Sequence, residues 1–267
     1  MAYEGSDGLQ VGLADGVLRF TLDRPKRRNA MNDEMVLALI AALEHAQTDE
    51  AVRCIRIGAN GDDFCSGFDL GTRTDGDRRP RVGSIQRRLP VLTHRLIPLM
   101  LDTQVPIVCA ARGWVAGLGL HVALASDFCV AATDARLWEP FMQRGFTPDS
   151  GGTWLLPRLV GVARAKELLM LAREISGADA AAWGLIHRAV APADLEATAD
   201  ELVEALAHGP TVALGLTKWL VHRGSSGSID EHLADEAFAM EVSSRSEDFR
   251  EGIAAMGEKR DPNFSGR

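Results

Sequence analysis

Three short apolar runs constrain this chain more than any other feature: VRCIRIGA (52–59), VPIVCAA (105–111) and DFCVAA (127–132). Their length and branched content read as buried strands. The first ends in a loop rich in glycine and acids, NGDDFCSGFDLG, and the second in the glycine-bearing turn GWVAGLGLHVALAS, whose second half has helical character. A helical segment from about Ile85 to Leu101 separates them. Strands alternating with helices imply α/β architecture, in which loops at strand ends are the natural place for a site.

Near the start, LQVGLADGVLRFTLDRP carries an Asp-Gly pair between two strand-like stretches, a hairpin signal, so strands are expected near 9–14 and 17–23. Val36, Leu39, Ile40 and Leu43 follow the i, i+3, i+4, i+7 spacing of a buried helical stripe, with Asn32 or Asp33 placed to cap it. Beyond about residue 192, the segments 193–208, 211–223, 229–245 and 247–258 all read as helices, with no convincing strand among them. The expected organisation is an α/β core over 1–192 and a helical region over 193–267.

Composition narrows the function classes. At 267 residues, 46% hydrophobic and 25% charged, the chain can bury a sizeable core. No run reaches the length of a membrane span, and MAYEGSDGLQ lacks the basic-then-apolar order of a targeting segment, so a cytoplasmic enzyme is the simplest setting. Cys54, Cys65, Cys109 and Cys129 are too dispersed for a zinc site or a disulfide framework, read as core residues, and give no reason to expect a metal. A net charge of -8 argues against nucleic acid as a partner. One local exception is Arg73, Arg78, Arg79, Arg81, Arg87, Arg88 and Arg95 against Asp75 and Asp77, which reads either as a solvated face or as a surface for an anion.

Three familiar motifs fail. GLGL (117–120) would need a glycine at Val122 to bind a dinucleotide, no G-x-x-x-x-G-K-[ST] exists, and Ser66 lacks the flanking glycine of a hydrolase elbow. What remains is a pair of glycine-flanked turns, CSGFD and AGLGL, each after an apolar strand. Such turns let a backbone approach a ligand closely, and two N–H groups from separate loops can form an oxyanion hole, strengthened by a helix starting at the second. Asp149, in FTPDSGGTW, sits where a loop gives way to a helix and reads as a cap or as a catalytic base.

RPKRRNAMN (24–32), FCSGFDL (64–70), GWVAGLGLHVALASDF (113–128) and PDSGGTWLLPRLVG (148–161), in this order and spacing, resemble the crotonase superfamily, the enoyl-CoA hydratases and isomerases, with similarity down to EGIAAMGEKRDPNF (251–264). The resemblance implies a spiral of ββα repeats, a C-terminal helical trimerisation region giving a homotrimer or a dimer of trimers, and an acyl-CoA thioester as ligand. Coenzyme A then enters as part of the substrate, and no separate cofactor is expected. It also implies that the backbone N–H groups of Phe68 and Leu118 polarise the thioester carbonyl, so that an enolate oxygen meets preorganised donors.

Against the hydratase pattern the sequence departs at two positions, since His121 and Phe141 stand where hydratases carry glutamates. Phenylalanine can neither activate water nor protonate carbon. Asp149 falls where several isomerases of the superfamily hold their catalytic aspartate, and one base suffices to take a proton from one carbon and return it to another. The resemblance therefore implies an enoyl-CoA double-bond isomerase. The alternatives are a hydratase using His121 or Glu139, and a non-catalytic acyl-CoA binder or RNA-associated relative. Further contacts carried over by position are Ser66, Gly67, Asp69, Leu70 and Gly117 at the two turns, with Arg24, Lys26 and Lys259 toward the coenzyme A phosphates and its closure. Phe68, Trp114, Trp138, Phe141 and Phe146 are candidate walls of the acyl pocket.

Overall fold

The computed structural model describes residues 3–73, 81–224 and 227–267. The expected hairpin forms as β1 (Leu9–Ala14) and β2 (Val17–Leu22), and the apolar stripe becomes α1 (Asp33–Ala46), capped by the Asn32 side chain on the Met35 N–H. β3 (Cys54–Ala59) is buried along its whole length. The segment expected as one helix from Ile85 is instead broken into α2 (Ser84–Arg88), a single 3-10 turn through Pro90, and α3 (Thr93–Asp102). Proline has no N–H to continue a helical ladder, and Leu92 takes a non-helical conformation there.

β4 (Ile107–Ala111), β5 (Trp114–Ala116) and α4 (Leu118–Ala125) form one ββα turn of a spiral, and β6 (Phe128–Ala132) and β7 (Arg136–Trp138) start the next. After α5 (Gly152–Leu171) come β8 (Ile175–Ser176), α6 (Gly177–Ala182) and β9 (Arg188–Val190). The larger sheet has the order β1-β2-β3-β4-β6-β9, parallel except for the hairpin, and the smaller has the order β5-β7-β8. From β4 onward the strands split pairwise, β4/β5, β6/β7 and β8/β9 each giving one strand to each sheet, and the core lies between them and the helices.

Four helices complete the described chain: α7 (Leu195–Ala207), α8 (Thr211–Arg223), α9 (Ile229–Ser243) and α10 (Glu247–Glu258), close to the expected bounds. α7 still belongs to the packing of the larger sheet: Leu195, Ala199, Val203 and Ala207 are buried, and Glu196 and Asp200 pair with Arg56 of β3. No described helix is long and apolar enough to cross a membrane.

Candidate active site

The two glycine turns meet. Cys65 donates to the Trp114 carbonyl at 2.9 Å and its own carbonyl accepts from Ala116 at 2.9 Å, so the first turn is stitched to β5 just before the second begins. Gly67 (φ 106°) and Gly117 (φ 50°) both have positive φ, and a Cβ on Gly67 would lie 3.1 Å from the Ala116 carbonyl oxygen and 3.8 Å from the Leu118 nitrogen. Gly119 serves the same approach, since its own Cβ would stand 2.6 Å from the Cys65 Cβ. Only chains without side chains at these points bring two backbones this near.

The turns also aim their donors. Met31 donates to the Gly67 carbonyl at 2.9 Å and Asp69 donates to the Met31 carbonyl at 2.8 Å. Because C=O and N–H of a trans peptide point opposite ways, the Phe68 N–H is turned away from that segment. Leu118 is the first residue of α4, so its N–H has no carbonyl a turn earlier within the helix and lies at the positive end of the helix dipole. The segment before α1 holds the first turn through Asn29, fully buried: its amide donates to the carbonyls of Asn60 (2.9 Å) and Asp63 (2.7 Å), and its oxygen accepts from the Arg24 N–H at 2.7 Å.

Below the second turn, every residue of α4 is buried. Within it His121 places Nε2 2.9 Å from Glu139 Oε1, and both side chains are withdrawn from solvent. The Phe141 ring stacks on the imidazole at 6.0 Å with an interplanar angle of 2°, while its tip reaches to 3.8 Å from where a Gly117 Cβ would sit. Phenylalanine therefore lies along both the imidazole face and the second turn.

Asp149 is half-buried and accepts from the Ser150 hydroxyl at 2.9 Å. Ser150 (φ 51°) and Gly151 (φ 88°) are consecutive left-handed residues, which places the start of α5 at Gly151, without a side-chain cap. Neither Asp149 nor Ser150 caps the helix, contrary to the capping alternative. Gly152 follows, its position so close to α4 that a Cβ would lie 2.4 Å from His121 Nε2. On the far side of this loop a cleft of about 610 Å³ opens between α3, α5 and α8, with walls that include Ile97, Leu101, Gly151, Trp154 and Trp219.

A family model described as enoyl-CoA hydratase/isomerase matches residues 12–267. The 1,2-epoxyphenylacetyl-CoA isomerase of Escherichia coli (strain K12) is 37% identical over 94% of this chain and 96% of its own, and a probable enoyl-CoA hydratase of Rhodobacter capsulatus is 38% identical over 99% and 97%. The crystal structure of an enoyl-CoA hydratase from Polaromonas sp. JS666 superposes with a TM-score of 0.89 at 30% identity, covering 96% of this chain and 99% of that one. The chain belongs to the enoyl-CoA hydratase/isomerase family.

Within this enoyl-CoA hydratase/isomerase, the structure distributes the expected residues unevenly. Ser66, Gly67, Phe68, Gly117 and Leu118 come together at the two turns. Asp69 is buried and pairs with Arg24 at 3.0 Å, with Gly71 donating to it at 3.1 Å. Arg24 correspondingly directs its guanidinium to Asp69 and the Ala30 carbonyl, bracing the first turn. Lys26 is exposed on the neighbouring 3-10 turn, Leu70 is at the surface, and Lys259 is exposed at the C-cap of α10.

Trp114 and Trp138 share one face of the smaller sheet, ring centroids 5.5 Å apart, with Arg136 over Trp114 and the Trp138 indole donating to the Ala172 carbonyl. Neither is among the residues that line the cleft between α3, α5 and α8. Period-two alternation points them opposite to Val115 and Leu137, which are core. Phe146 packs edge-on to Phe141 at 5.5 Å and is 40% exposed. Trp154, Trp219, Ile97 and Leu101 were not singled out by any motif. The signal available was the i, i+4 pair on α3 and the tryptophan five residues beyond Asp149. Of the basic segment, 74–80 lies outside the described residues, and Arg88 and Arg95 form ion pairs with Asp33 and Glu44.

Proposed function

We propose that this enzyme is an acyl-CoA isomerase that shifts a carbon–carbon double bond along the acyl chain. The thioester oxygen is received by the N–H groups of Phe68 and Leu118, which stabilise the dienolate formed when a proton leaves the carbon chain. Asp149 takes that proton and returns it at the other end of the conjugated system, so one carboxylate is base and then acid. The acyl group runs past Asp149 into the cleft between α3, α5 and α8, where Trp154 and Trp219 suit a bulky apolar chain.

The observation that carries this reading is that the Asp149 carboxylate caps no helix and, among the described residues, is held only by the neighbouring Ser150 hydroxyl, beside a loop whose hydratase position is filled by Phe141. Two relatives named as isomerases support it, the epoxyphenylacetyl-CoA enzyme and the trans-2-decenoyl-[acyl-carrier-protein] isomerase of Streptococcus mutans, 29% identical over 95% of this chain. Burial behind Phe141 speaks against water activation by His121 and Glu139.

Given a 3-enoyl-CoA, the protein is expected to generate α,β-unsaturated thioester absorbance with no change of mass. Asp149→Asn should lower kcat at least about a hundredfold, in line with removal of a positioned acid–base, while leaving the unfolding midpoint in place. Full activity in that variant, or a product heavier by one water, rejects the assignment.

A further inference from the structure

His121 and Glu139 are buried, titratable and unused by the chemistry above. Their one polar contact is with each other: His121 Nδ1 and Glu139 Oε2 have no hydrogen-bond partner among the described residues, so the bond of 2.9 Å between Nε2 and Oε1 is the sole polar restraint on both side chains. With the proton on Nε2, as in that neutral tautomer or in the imidazolium, the ring donates to Oε1, and the bond is directional. A pair of apolar side chains would fill the space without fixing the rotation of the ring.

Three elements meet at this bond. His121 lies on α4 one turn after Leu118, on the same face. Glu139 follows Trp138, whose carbonyl accepts from the Gly117 N–H at 3.0 Å. α5 rests on the imidazole edge through Gly152, whose N–H donates back to the Asp149 carbonyl at 3.2 Å. The orientation of the His121 ring therefore sets how near the first residue of α5 can come to the first turn of α4.

We infer that His121 and Glu139 are a positioning pair that fixes the separation between the Leu118 N–H and the Asp149 carboxylate. Glycine at 152 is then required for contact with the ring, and Phe141 closes the ring's face so that the pair holds geometry without meeting substrate. This inference rests on the isomerase reading only for its kinetic consequence; the geometric one stands apart.

Glu139→Gln keeps an acceptor for His121 and removes the charge, whereas Glu139→Ala removes the bond. With Asp149 misplaced, Glu139→Ala should lower kcat per folded molecule by about ten- to a hundredfold and leave KM within about threefold. Glu139→Gln should stay within about threefold of the parent in both. Amide hydrogen exchange over residues 149–155, measured without substrate, should accelerate in Glu139→Ala and not in Glu139→Gln. Unchanged kcat and exchange in Glu139→Ala overturns the inference. So does a Glu139→Gln variant as impaired as the alanine, which would mean that the carboxylate itself exchanges protons. A parent protein that isomerises nothing removes the reading of the reaction, and the exchange measurement then decides the pair alone.

Discussion

Gly119 has no room for even one more carbon, because a Cβ would lie 2.6 to 2.8 Å from the Cβ, carbonyl oxygen and Sγ of Cys65. The glycine that a dinucleotide motif would use for phosphate here lets α4 sit directly on the first glycine turn. Gly119→Ala should cost about 1–3 kcal/mol, the usual penalty of overpacking, and should also reduce turnover in the molecules that still fold, by parting Phe68 from Leu118. Gly257, in α10 with nothing within 4 Å of a Cβ, is the control. There alanine should stabilise by about 0.4–1 kcal/mol through the unfolded chain alone. Urea midpoints and specific activities of the two variants check both statements. The glycines were legible in the sequence as a pair of turns. What Asp149 does was not, because it depends on Ser150 and Gly151 both adopting positive φ, and serine gives no warning of that.

At the scale of elements, long periodic segments were readable and short ones were not. α1 and the four C-terminal helices declare themselves by spacing, whereas β5, β7 and β8 have two or three residues each and exist only because neighbours pair with them. The placement of α8 was likewise hidden, since it depends on contacts more than a hundred residues apart. Lys218, buried, points its ammonium at Asp127 (2.8 Å) and at the carbonyls of Met100 (2.9 Å) and Val105 (3.3 Å). Burial pulls its pKa below that of a free lysine, opposed by the Asp127 charge. This anchor holds α8 against the end of α3, and so one wall of the cleft between α3, α5 and α8. Lys218→Met leaves the mostly buried Asp127 with the Ile107 N–H but without the ammonium, takes that donor from two carbonyls as well, and should destabilise the fold by about 3–5 kcal/mol. A thermal or denaturant melt measures it, and a loss under about 1 kcal/mol would place the anchor of α8 elsewhere.

On the scale of the whole molecule, the C-terminal helices leave apolar side chains uncovered, among them Phe238 and Met240 on α9 and Phe249, Ile253 and Met256 on α10. Light scattering is expected to give three or six copies of the 28.8 kDa chain, with these faces as the contact. The last residues fold back onto α10 by way of two carboxylates. Asp248 accepts from the Ser265 and Gly266 N–H groups, and Glu251 accepts from Arg260 and from the Asn263 N–H at 2.7 Å. The Arg260 hydrogen bond, followed by that N–H, draws the Glu251 pKa from 4.5 down to about 2. A carboxylate depressed in the folded state contributes stability that is complete above its unfolded pKa and is lost as pH falls through the folded one. The attachment of residues 260–267 should therefore hold at neutral pH and weaken progressively from about pH 4.5 toward pH 2. Amide exchange at Asn263, corrected for its intrinsic pH dependence, should report the release in that window. Glu251→Gln, which cannot titrate, should show the released behaviour at all pH values. If the variant and the parent respond to acid alike, the tail is held by Asp248 and packing, and Glu251 is only a surface ion pair.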